Sequence, residues 1–192
     1  MAFSDFYIIP SGGSDLNAGS TSSGTPTFAT NSGNWDGVSV FTPTDGSTPS
    51  TTVAPGMWAS IYPSGNTTTP YIAKVTAVGS GANGTITLST SVYFGTVPSA
   101  NSGSRNCVVG GAWADFGMIG SGAALASGTV TQSTRINIQA GTYANTSTTL
   151  TFGLAGTATN PLWWRGYQNT PGDQDNNATA TAGTNTGCKS SA

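Results

Sequence analysis

Apolar residues in this chain come in short alternating runs, separated by polar stretches rich in Gly, Ser, Thr and Asn. Alternation with a period of two puts successive side chains on opposite faces, so each run predicts a strand with one buried face. FYIIP, from Phe6, is a first short apolar strand, and the loop SGGSDLNAGSTSSGTPTF follows it with the Gly and Ser of turn chemistry. NWDGVSVFTP holds a second strand, with Val38 and Val40 alternating. MWASIYP, YIAKVTAVG and TITLSTSVYFG then alternate in succession and read as a compact β unit.

Between the last two of these runs lies GSGANG, which matches the spacing G-x-G-x-x-G. A dinucleotide-binding loop needs a helix after that spacing, because the helix N-terminus holds the pyrophosphate. The Thr-rich TITLS follows instead, so the string predicts a hairpin turn. Farther on, AWADFGMIGSGAALASG is the one stretch with helical content, weakened by its glycines. RINIQ places Ile136 and Ile138 on one face, and TLTF does the same for Leu150 and Phe152. PLWWRGY sets Leu162 and Trp164 on one face and Trp163 and Arg165 on the other, with Tyr167 next in line on that outer side. The turns between these runs are too short for helical crossovers, which excludes βαβ units and suits the coils of a β-solenoid.

Composition narrows the picture. Only 6% of residues are charged, against roughly 25% in an average soluble domain. There is no Glu and no His, and the net charge is -2. Without clustered Lys and Arg there is no electrostatic footprint for nucleic acid. Without His, and with Asp45, Asp36 and Asp15 in turn contexts such as TDGS, WDG and GSDLN, no acid–base or nucleophilic constellation can be assembled. The expectation is that this chain carries no catalytic residue and no cofactor. GDQDNN places Asp173, Asp175 and Asn177 at alternating positions, as calcium loops do, but lacks their Gly and closing Glu, so an Asx-turn loop is expected and no metal. Cys107 and Cys188 have no metal spacing; two free thiols are the expectation, with a disulfide left open. No apolar stretch reaches the 18 or so residues of a membrane span, and the opening MAFSDFYIIPSGG lacks a basic, long-apolar signal segment, so synthesis in a cytoplasm is expected.

FYIIPSGGSDLNAGS resembles the opening of many right-handed parallel β-helix proteins of the pectate-lyase-like superfamily, which begin with a strand and a Gly-Ser-Asp-x-Asn-x-Gly loop. INIQAGTYANTSTTLTFGLAGTATNPLWWRGY resembles the first rung of that superfamily, and the run from about residue 54 is similar to small β-domains of phage structural proteins. The resemblance implies an all-β chain: a small β-barrel or sandwich-like domain plus the capping rung or rungs of a right-handed parallel β-helix. The expected divisions are a strand-and-loop docking arm at 1–53, the small β-domain at 54–105 and the β-helix cap and first rung at 106–192. A β-helix needs several stacked rungs, so ATATAGTNTGCKSSA is expected to continue into further solenoid.

The implied function is that of a virion protein, a tailspike base, head fibre or capsid decoration. It would bind other virion proteins and itself as a homotrimer, with a host-surface glycan as a further possible partner. Trp163, Arg165 and Tyr167 are the candidate interface residues, since Trp, Tyr and Arg are enriched among interface anchors. Two alternatives stay open: the non-catalytic head of a β-helix polysaccharide depolymerase, and a carbohydrate-binding module using Trp163 and Tyr167.

Overall fold

A computed structural model describes residues 3–14, 16–63, 70–114, 127–129, 133–141, 143 and 153–171. Among them the fold is all-β. The strands are β1 (Ser4–Ile8), β2 (Pro26–Thr30), β3 (Gly33–Trp35), β4 (Val40–Pro43), β5 (Trp58–Pro63) and β6 (Tyr71–Val78). They continue with β7 (Ile86–Phe94), β8 (Arg105–Gly110), β9 (Ser127–Thr129), β10 (Thr134–Gln139), β11 (Gly153–Ala155) and β12 (Leu162–Tyr167). A single turn of 3₁₀-helix at Pro49–Thr51 is the only helical element described.

Seven strands form one antiparallel sheet in the order β2-β8-β5-β6-β7-β4-β3. The sheet curls until it is nearly a closed barrel. At its seam Trp35 and Asn101 exchange backbone hydrogen bonds of 2.8 and 2.9 Å, and the Trp35 indole donates to the Pro98 carbonyl at 2.9 Å. Ala59, Ile61, Tyr71, Ala73, Val75, Ile86, Leu88, Cys107 and Val109 fill the interior with Trp35 and Phe41. The GSGANG string is the β6–β7 hairpin, as its composition predicts. Gly81 (φ 82°) and Asn83 (φ 57°) supply the left-handed backbone that a tight turn requires.

A second, three-stranded sheet is parallel, in the order β1-β10-β12. Phe6 lies opposite Ile136, and Ile136 opposite Trp164. Beyond the outer edge of β1, Ile8 bridges Trp113 in the same parallel sense. β9 and β11 form a separate parallel pair.

These pairings do not follow the expected divisions at 53 and 105. β2, β3 and β4 belong to the barrel sheet, and β1 belongs to the parallel sheet, so residues 1–53 are built into both rather than forming a separate arm. Strand alternation explains how both sheets find a common core. Along β5, Ala59 and Ile61 point into the barrel, while Trp58 points out of it. Ile72 on β6 and Phe94 on β7 point out likewise and join Phe6, Ile8, Trp113 and Ile136 in a second core. Period-two alternation puts Trp58 between the barrel and the parallel sheet. Phe6 is the hub, with ring centroids 5.0 Å from Trp58, 5.5 Å from Phe94 and 5.3 Å from Trp113. Such aromatic pairs contribute about 0.5–1.5 kcal/mol each beyond their buried area.

The GSDLNAGS loop is held in place through Asn17. Asn17 is buried and donates its side-chain amide to the carbonyls of Gly24 and Ala112, both at 2.9 Å. Its own carbonyl accepts the Trp113 indole N–H at 3.0 Å. Gly19 has a φ of +74°, and a Cβ there would fall on the Trp113 ring. The loop is a clasp around Trp113. The stretch expected to be helical, AWADFGMIGSGAALASG, is described only at its ends, and Ser127 and Gly128 belong to strand β9 rather than a helix; the TLTF strand with Leu150 and Phe152 lies outside the described residues.

Candidate functional site

The parallel sheet has two faces with opposite characters. Phe6, Ile8, Ile136, Ile138, Leu162 and Trp164 face the shared core. Asp5, Tyr7, Arg135, Asn137, Trp163 and Arg165 alternate with them and take the other face, where adjacent strands bring together residues distant in sequence.

At the centre of that face, Asp5 and Arg135 form a bidentate pair. Arg135 Nε donates to Asp5 Oδ1 at 2.5 Å and Arg135 Nη2 to Oδ2 at 2.8 Å. Asn137 Nδ2 donates to the same Oδ1 at 2.8 Å and to the Phe6 carbonyl at 3.1 Å. The Arg135 guanidinium carbon lies 5.4 Å from the centroid of the Phe3 ring. Phe3 in turn meets Trp163 at 5.6 Å between ring centroids, tilted by 59°. Trp163 is 53% exposed. Burial raises the Tyr7 phenol pKa, and the Asp5 charge raises it further, while the nearby guanidinium groups of Arg135 and Arg165 pull it down. The face is therefore a small, mixed platform: one open indole beside a neutralised Arg–Asp pair.

Among the expected interface residues the structure divides the three. Trp163 is outward, as alternation predicts, and Arg165 is half-buried on the same face. Tyr167 is not outward; it is 2% exposed. The neighbouring backbone is tied down at this end of the strand. Ala140 donates to the Tyr167 carbonyl at 2.7 Å, and Tyr143 reaches back to the carbonyls of Ile8 and Gln139 at 3.1 and 2.5 Å. Burial, with Tyr167 nearby, pushes the Tyr143 phenol up to about 12. Sequence reasoning missed Phe3, Asp5, Arg135 and Asn137. Alternation puts Asp5 opposite Phe6 in facing, and Arg135 and Asn137 opposite Ile136, but no local signal pairs two strands so far apart in the chain.

A second surface feature, mixed in character with Val40 and Ala100 among its lining, lies at the barrel seam. An open depression of about 500 Å³ is lined by Asn34, Trp35, Asp36, Thr42, Asn101 and Ser102. Its carboxylate is occupied structurally: Asp36 Oδ1 accepts the backbone N–H groups of Val38, Ser39 and Val40 at 2.8–2.9 Å. Cys107 sits inside the barrel, where burial raises its thiol far above the ordinary range, so it is a packing residue and not a nucleophile. Asp173, Asp175, Asn177 and Cys188 lie outside the described residues, as does any pairing of Cys188.

Comparisons with known proteins found no matching family model, no matching curated protein and no matching solved structure.

Proposed function

We propose that this protein is a virion structural protein that attaches to or decorates a phage particle by protein–protein association, as a homotrimer. The observation that carries this reading is the parallel stack. β10 pairs with β12, and β9 pairs with β11, so the chain passing through β11 and β12 lays its strands in register on those of the pass before. That repetition supports reading this end of the protein as the opening of a right-handed parallel β-helix, the architecture implied by FYIIPSGGSDLNAGS and INIQAGTY. The barrel packed on it supports the same reading, since a small β-domain is expected in front of such a helix. Low charge supports association too: a chain soluble mainly through hydroxyls and amides gains stability when its surface is buried between copies or on a particle.

The test is a density gradient of purified particles with the tagged protein, alongside light scattering of the free protein. Co-banding with particles and a trimeric mass are expected. Protein left in the soluble fractions overturns attachment, and a monomeric mass overturns the trimer.

A further inference from the structure

We infer that the outer face of the β1-β10-β12 sheet holds a saccharide subsite, in which one pyranose ring stacks on Trp163 while its hydroxyls bond the Asp5–Arg135 pair. This reading goes beyond particle attachment and does not depend on it.

The geometry provides both halves of what a sugar ring presents. A pyranose has an apolar face of C–H groups and a rim of hydroxyls that both donate and accept. Trp163 offers the flat apolar surface, 53% exposed, and Phe3 braces its ring from one side. An indole fixed before binding loses little rotamer freedom on contact. Beside it, the Asp5–Arg135 pair offers both acceptors and donors. A guanidinium has five N–H donors, and Asp5 takes two of Arg135's. A carboxylate has about four acceptor sites, and Arg135 and Asn137 take three of Asp5's. The pair retains capacity for hydroxyls, its geometry is set by the register of β1 on β10, and its charges cancel. A neutral sugar suits such a group better than an anion does.

The size of the surface argues for the same occupant. The exposed large apolar side chains among the described residues are Val38, Tyr93 and Trp163. They stand on three different elements: the β3–β4 turn, β7 and β12. A stable protein interface buries roughly 800 Å² on each partner around an apolar centre. One isolated indole flanked by an ion pair is too small for that centre, and it matches a single sugar ring.

The test uses the whole chain on an array of neutral hexose and N-acetylhexosamine oligosaccharides, followed by titration of the best oligosaccharide into protein with ¹⁵N-labelled indoles. The chain has five tryptophans. The Trp163 indole N–H resonance is expected to shift with sugar, while those of the buried Trp35, Trp58 and Trp113 stay in place. Trp163→Ala is expected to weaken binding at least tenfold with an unchanged circular dichroism spectrum, and Trp163→Phe to retain part of it. Binding to no oligosaccharide would sink the proposal. So would sugar binding that leaves the Trp163 resonance unmoved, or a loss of self-association in Trp163→Ala without any sugar signal in the parent, which would assign the face to a second copy of the chain. If Trp163→Ala does not fold, the wild-type resonance shift decides alone.

Discussion

At the scale of single residues, much of the polar chemistry here is structural. Asp36 illustrates it. Slight burial works to raise its pKa, but the N–H groups of Val40, Val38 and Ser39 outweigh that and hold the carboxyl below its ordinary 3.8. Asp45 is held low as well, first by the Thr30 hydroxyl and then by Ser47. A depressed folded pKa contributes stability that is complete above the unfolded value and is lost as pH falls through the folded one. The melting temperature is therefore expected to drop below about pH 4, and Asp36→Asn to lower it at pH 7 while changing it little at the acid end, so that the variant's acid limb is flatter. An acid limb identical in the variant and the parent would remove Asp36 from the account. Ser60 gives the opposite kind of test. Its hydroxyl is fully buried with no hydrogen-bond partner among the described residues. A buried group without a partner costs about 1–3 kcal/mol, so Ser60→Ala is expected to leave stability unchanged or raise it by about 1 kcal/mol in urea denaturation. A clear loss would mean the hydroxyl is bonded after all.

At the scale of elements, β1 and the loop after it tie the two cores together. Phe6 is fully buried and touches the rings of Trp58, Phe94 and Trp113. Phe6→Ala is expected to cost about 3–5 kcal/mol, the range for removing a large buried aromatic ring. Gly19→Val forces a β-branched residue into positive φ and into the Trp113 indole, and is expected to cost about 2–4 kcal/mol. Chemical denaturation measures both; a cost under 1 kcal/mol at either site would mean the loop and strand are not the clasp described. Six of the twelve described strands were legible from short apolar runs, whereas β2 lies partly in the stretch read as a loop, β9 partly in the stretch read as helical, and β8 and β11 carried no strand signal. FYIIP, MWASIYP, YIAKVTAVG, TITLSTSVYFG, RINIQ and PLWWRGY all fall on observed strands. The GSGANG turn was legible because Gly and Asn tolerate the left-handed backbone that such a hairpin needs. What alternation cannot give is pairing. NWDGVSVFTP holds two strands, since the Asp36 carboxylate caps a turn inside it. β1 leaves its neighbours in sequence to pair with β10, which makes the Asp5–Arg135 contact invisible in either segment alone. Tyr167 shows the same limit: alternation put it on the outer face, yet it is buried.

At the scale of the molecule, the functional reading rests on one topological statement. The first strand of the chain is the first layer of a parallel stack, with β10 and β12 laid on it in register and the barrel packed behind. A chain folded this way joins a small barrel to a three-stranded parallel sheet through a shared aromatic core, and the proposed attachment reads that sheet as the opening of a solenoid. Disulfide trapping tests the stack most directly. In a background with Cys107 and Cys188 replaced by Ser, Asp5→Cys combined with Arg135→Cys puts two thiols on one face at directly opposed positions. Opposed Cα atoms in neighbouring strands fall within the roughly 4.4–6.8 Å that a disulfide spans. Near-complete crosslinking under mild oxidation is predicted for this pair, and little for Asp5→Cys with Gln139→Cys, four residues out of register. Equal crosslinking of the two pairs, or none in the first with the variant still folded, would contradict the parallel stack.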